Sequence, residues 1–170
     1  FPFAKSNELF WSDNVYPEGV HLSKKIKFDS SKIDFLDINL GHFIVRASGQ
    51  SVDMDSYLQG AQIHFSAFDG GMELFPSLYY FNKMPNRPDG GGSFSLNYLI
   101  LDGGLRLKPF KGFPLRLELD VYQNLLDYTT NDSIADVVKS QKTGCVAGLR
   151  YGSLKKKGDW ILKATYANLQ

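Results

Sequence analysis

The sequence predicts an all-β fold: an antiparallel transmembrane β-barrel of about eight strands, forming a segment of a larger up-and-down barrel. Three observations predict it. First, Leu99 to Lys108 places Leu99, Leu101, Leu105 and Leu107 on one parity and Asp102, Arg106 and Lys108 on the other. Leu115 to Tyr122 repeats the sorting, with Leu115, Leu117, Leu119 and Val121 against Arg116, Glu118 and Asp120. Side chains alternate across a strand, so each stretch has a leucine wall and a charged wall. That division suits lipid outside and water inside, whereas the polar face of a soluble sandwich favours Thr, Ser and Lys. Second, the apolar runs fall far short of the roughly 20 residues of a spanning helix, which excludes a helical membrane protein and leaves barrels open. Third, the connections alternate between short and long, as they do when periplasmic turns lie on one rim and extracellular loops on the other.

Reading for period two gives the elements in order. The first strand is expected from Gly19 to Phe28, where Val20, Leu22, Ile26 and Phe28 share a face. Lys24 falls on that same face, and a lysine facing lipid costs about 2–4 kcal/mol at the bilayer midplane. A bulge near Ser23 to Lys25, or a place near the rim, is therefore expected. The Asp29 to Lys32 turn leads to a second strand, Asp34 to Arg46, and the long Ala47 to Ser56 loop to a third, Tyr57 to Phe68. Asp69-Gly70-Gly71 makes a tight turn into a fourth, Met72 to Asn82, and the Pro- and Gly-rich stretch from Lys83 to Phe94 forms a long loop. The fifth strand runs from Ser95 to Pro109, straight through Asp102-Gly103-Gly104, because the leucine phase is the same on both sides of the glycines. Lys111 to Phe113 turns into the sixth strand, Pro114 to Asn124, followed by the long Leu125 to Lys142 loop. Thr143 to Gly152, the Ser153 to Gly158 turn and Asp159 to Ala167 complete the series. The whole chain, 1–170, reads as one barrel segment, with residues 1–18 an extracellular loop and 19–168 the strands. The loop-like opening and the strand-like pattern still running at Gln170 lead us to expect a piece of a longer protein.

With 19 basic and 18 acidic residues the net charge is +1, which gives no electrostatic case for nucleic acid as partner. Aromatic content of 14% and 16 glycines fit interfacial girdles and bent strands. Cys145 is alone in the chain and reads as a packing residue. His21, His42 and His64 fall on separate strands without ligand spacing, so no metal site and no cofactor are expected.

Further along, Phe1-Pro2-Phe3, Leu9-Phe10-Trp11-Ser12-Asp13 and Tyr16-Pro17-Glu18-Gly19-Val20 form an ordered set with Leu40-Gly41-His42-Phe43 and Gly60-Ala61-Gln62-Ile63. Pro114 through Asn124, Gly158-Asp159-Trp160 and Tyr166-Ala167 continue it. In that order the chain resembles a family of bacterial outer-membrane porins. The resemblance implies a pore-forming barrel in the outer membrane of a Gram-negative bacterium, of which this chain is a C-terminal portion. Its partners would then be the lipid bilayer, small hydrophilic solutes and the remaining strands of the parent barrel; a homo-oligomer is compatible with it.

The expected function is passive diffusion of small hydrophilic solutes or ions, without enzymatic activity. Lys25, Lys27, Asp37, Gln62, His64, Glu73, Arg106, Lys108, Arg116, Glu118, Asp120, Arg150 and Lys163 are the expected pore-lining residues. Hairpin register should set Arg106 opposite Glu118 or Asp120, Lys108 beside Arg116 or Glu118, and Lys25 or Lys27 opposite Asp37. Mixed charges on a wet wall sort permeating solutes. Tyr79, Tyr80, Tyr122, Trp160 and Tyr166, near strand ends, are the expected membrane-interface aromatics. Two other classes compete. An outer-membrane barrel enzyme would use the loop acids Asp53, Asp55, Asp127, Asp132 and Asp136, although no Ser-His-acid order accompanies them. A soluble lipocalin-like barrel would enclose an apolar cavity and turn its polar face outward, so the discriminator is which face carries the charges.

Overall fold

Alternation with period two, punctuated by turn residues, produces a single antiparallel meander. The computed structural model describes residues 3–4, 18–29, 32–47, 55–85, 95–130, 134, 136–140 and 142–169. They form β1 (Glu18–Lys27), β2 (Ile33–Arg46), β3 (Ser56–Ala67), β4 (Met72–Pro85), β5 (Ser95–Leu107), β6 (Leu115–Asn124), β7 (Thr143–Gly152) and β8 (Ile161–Leu169). A five-residue helical turn, α1 (Asp136–Ser140), sits in the β6–β7 loop. The eight strands pair in sequence order, each with its chain neighbour. The sheet is all-β and up-and-down, as expected, but it is not closed: β1 and β8 are its two edges.

β5 runs unbroken through Asp102-Gly103-Gly104, which face Ser77, Pro76 and Phe75 of β4 in continuous register. The tightest turn, Phe68 to Gly71, holds Phe68, Asp69 and Gly70 at positive φ. The Asp34 carboxylate stabilises it by accepting from the Asp69 and Gly70 N–H groups at 3.1 and 2.8 Å. At the opposite rim β4 is bulged between Phe81 and Met84. There Lys83 has φ 52°, its N–H donates to Asn97 Oδ1 at 2.8 Å, and its carbonyl accepts from Ser56 Oγ at 2.6 Å. The bulge expected near Lys24 does not occur: β1 pairs with β2 in regular register from Glu18 to Lys27, with Lys24 opposite Ile38 on the apolar face. Lys24 lies three residues before the end of β1, about 10 Å along the strand from the short-turn side. Its long stem lets the ammonium reach towards that rim without a break in the pairing.

Burial divides the two faces in an unusual sense. Large apolar side chains on one face stand in the open, among them Leu22, Leu40, Leu78, Leu101 and Val121, while Asn39, Gln62, Ser77, Asp102, Asp120 and Asn124 are buried on the other. The second face is the more enclosed one, hereafter the inner face, and is covered in part by Phe3, Ala4 and Tyr128. Among the described residues it carries two apolar clusters, Phe3, Phe43, Leu58 and Tyr79, and Leu96, Tyr128 and Ile134, with Phe75 and Val146 buried as well.

Candidate functional site

Every residue expected to line a pore lies on the inner face. Their parity follows from register: Lys25 opposite Asp37, Asp37 opposite His64, Glu73 opposite Arg106, Arg106 opposite Glu118, Arg116 opposite Arg150 and Arg150 opposite Lys163. Strand pairing therefore brings together residues far apart in sequence, without any loop having to position them.

Towards the short-turn rim the charges interlock. Glu73 is the hub: it accepts from Arg106 Nη1 at 3.0 Å, contacts His64 Nε2 at 3.2 Å, and lies 3.8 Å from Lys108 Nζ. Arg106 Nε lies 3.6 Å from Glu118, which Arg116 also approaches at 3.5 Å. The pairs are only partly exposed, so water screens them less than it would on a free surface. His64 is wedged edge-on between Phe35 and Phe75, with ring centroids 5.0 and 5.3 Å away. Register alone does not make an ion pair, however. Lys25 faces Asp37 but places its ammonium 3.6 Å from the centre of the Phe35 ring, and Asp37 accepts from Ser23 Oγ at 3.3 Å. Lys108 turns back to Gly70 O at 3.0 Å, in addition to Glu73, rather than joining Glu118.

At mid-height the wall becomes neutral and acidic. Gln62 donates to Ser77 Oγ at 2.9 Å, and Asp120 leans over Gly104, where an added Cβ would lie 2.8 Å from Asp120 Oδ1 and 2.2 Å from the Phe75 ring. Gly104 thus leaves room for both a carboxylate and a ring. Asp102, buried beside them, has one oxygen without a hydrogen-bond partner among the described residues.

Phe3 and Ala4 lie against this same inner wall; the rest of the 1–18 stretch, expected as an extracellular loop, lies outside the described residues apart from Glu18 in β1. Gly41 and Gly60 are opposite one another in the β2–β3 ladder. Together they leave a socket: a Cβ on Gly60 would lie 2.6 Å from the Phe3 ring. The ring stands edge-on to Tyr79 and Phe43, and Gln62 clamps the next residue by accepting from Ala4 N–H and donating to Ala4 O, both at 2.7 Å. Near the long-loop rim the β6–β7 loop also folds inward. Tyr128 accepts from Asn124 Nδ2 at 2.9 Å and donates to the Asn97 carbonyl. Burial pushes the Tyr128 hydroxyl up from its ordinary pKa. Asp127 beside it is held down to about 2, first by the hydrogen bond from Lys142 and then by the Thr129 N–H and hydroxyl.

The interface aromatics require correction. Tyr79 is 2% exposed on the inner face, and Tyr122 also points inward, across Gly144. Adjacent residues on a strand face opposite ways, so Tyr79 and Tyr80 cannot both reach the outer surface. Tyr80, Trp160 and Tyr166 do face outward. Trp160 belongs to a line of rings along the short-turn rim, Phe110, Phe113, Tyr151 and Trp160, with successive centroids 6.0, 5.3 and 5.4 Å apart. Near the other rim, outward-facing His42 stacks with Tyr57 at 5.1 Å and contacts Gln59 at 3.2 Å. Sequence reasoning missed the Phe3 socket altogether, since nothing local to residues 1–4 signals a contact with Gln62.

The loop acids are engaged separately: Asp127 with Lys142 at 2.9 Å and Asp136 with Lys139 at 3.3 Å. Asp53 and Asp132 lie outside the described residues, and Asp55 is buried at the start of β3. No cluster of three His, Cys, Asp or Glu side chains suited to a metal occurs among the described residues. No family model, curated protein or solved structure matches the chain.

Proposed function

We propose that this chain forms part of the wall of an outer-membrane porin, a passive channel for small hydrophilic solutes or ions. One observation carries the reading: burial is inverted, with carboxylates and amides packed inside and leucine, isoleucine and valine in the open. Contiguous exposed apolar surface on this scale is unfavourable in water and favourable against lipid. Rings at both ends of the apolar band are placed as interfacial girdles are. A lipocalin-like barrel would need the opposite division, with its apolar face enclosed. The unpaired backbone edges of β1 and β8 would be costly in a bilayer, so the remaining strands of a parent barrel are expected to complete them.

Reconstitution of the full-length protein in planar bilayers tests the proposal. Stepwise single-channel conductance is the expected result, and its absence under conditions where the protein is inserted and folded would refute it.

A further inference from the structure

We infer that this wall favours small anions, and binds oxyanions such as phosphate or carboxylates at a basic row near the short-turn rim; the inference rests on the pore reading above. β-Pairing sets Arg116 opposite Arg150 and Arg150 opposite Lys163, so three cations occupy one row on adjacent strands. Neighbouring strands are about 4.8 Å apart, and like charges directly opposite on a sheet destabilise it. Elsewhere this wall avoids that arrangement, setting Lys25 against Asp37 and Arg106 between Glu73 and Glu118.

The local acids relieve the row only at Arg116. Glu118 is shared between Arg116 and Arg106. Asp159, in the adjoining turn, accepts from the N–H groups of Lys155 and Lys156 at 3.0 Å each. Among the described residues, neither Arg150 nor Lys163 is in ion-pair contact with a carboxylate. Their neighbours on the same face are Gly148, Gly152, Ile161 and Thr165, none of which can neutralise them. Arg116 and Arg150 also border an open hollow of about 980 Å³ at the short-turn rim. Lys108, Lys111 and Lys155 line it as well, and Asp69 is the one acid that lines it among the described residues. Asp69 is already occupied, by Lys111 at 3.3 Å.

An anion entering from this rim therefore meets uncompensated cations before it meets Asp120, which lies four residues further along β6, about 13 Å of strand. Guanidinium groups suit oxyanions because their planar N–H donors match two oxygens at once.

The test is the reversal potential of the full-length protein in planar bilayers under a potassium chloride gradient. Chloride should permeate in preference to potassium. Replacing both Arg150→Gln and Lys163→Gln should lower the permeability ratio by about tenfold per charge, because the roughly threefold Boltzmann weight of a unit charge about 6 Å from an ion in water acts on chloride and potassium in opposite senses. Arg150→Lys should retain the preference. Inorganic phosphate added to the wild-type channel should reduce its chloride current, a measurement that needs no variant to fold. A cation-selective channel, a ratio unmoved in the double variant, or a chloride current indifferent to phosphate would overturn the inference while leaving a pore standing. Failure to form channels at all would remove the pore reading itself.

Discussion

Leu119→Arg separates a lipid-facing surface from a water-facing one. Leu119 is 38% exposed on the outward face, between Leu105 of β5 and Ala147 of β7. It lies four residues from the start of β6 and five from its end. At about 3.3 Å per residue and a tilt of about 40°, that places it roughly 10 Å above the short-turn end of a band about 25 Å tall, near its middle. An arginine there costs about 2–4 kcal/mol, or about a 30- to 900-fold change in the folding equilibrium. If the same face met water, an exposed substitution of this kind would stay within about 0.5 kcal/mol. The two outcomes do not overlap. The assay is equilibrium denaturant unfolding of the full-length protein in phospholipid vesicles, with Leu154→Arg in the exposed β7–β8 turn as the control. Leu154 is 68% exposed and outside the strands, so its substitution should be nearly silent. A Leu119→Arg variant as stable as the control would refute the assignment of this face to lipid.

Lys24→Leu should stabilise the vesicle-embedded protein by about 1 kcal/mol or more, since it removes a charge from the lipid-facing side of β1; a loss of stability in the same unfolding assay would show that Lys24 faces water. Gln62→Ala should cost about 1–3 kcal/mol, because it leaves the Ala4 N–H and carbonyl and Ser77 short of a partner. It should also increase proteolysis of the N-terminal segment, and a segment equally protected in the variant would count against the clamp. For Asp127 the folded pKa of about 2 lies below the ordinary 3.8, so its contribution is full above about pH 4 and is lost as pH falls through 2. The Thr129 amide chemical shift should follow that titration in the wild type and lose it in Asp127→Asn.

What was legible in the sequence was what parity encodes. The leucine phase across Asp102-Gly103-Gly104 located an unbroken strand because a ladder must keep its period, and the same period left Arg106 opposite Glu118 or Asp120, of which the pairing takes Glu118. The aromatic assignments failed where proximity to a strand end was given more weight than parity, as at Tyr79 and Tyr122. Lys25 stands opposite Asp37 as expected, yet the two do not form an ion pair. Register fixes which Cα atoms face each other, but a four-carbon stem can place its ammonium on a ring instead. The Phe3 socket depends on two glycines from different strands and on the clamp that Gln62 places on Ala4, 58 residues away from it. No local pattern contains that information.

The Asp34 carboxylate under the Phe68 to Gly71 turn has a consequence for the order of assembly. Phe68 and Asp69 hold left-handed backbone conformations that L-residues adopt at a cost, and the groups relieving it come from β2 rather than from the hairpin itself. Ser66 Oγ on β3 donates to the same carboxylate at 2.8 Å. The β3–β4 hairpin is therefore incomplete as an independent nucleus, and its turn becomes fully favourable only when β2 arrives. Folding of this wall should advance in a three-strand step, with Asp34→Ala slowing formation of β2, β3 and β4 together while the β5–β6 hairpin forms at its own rate.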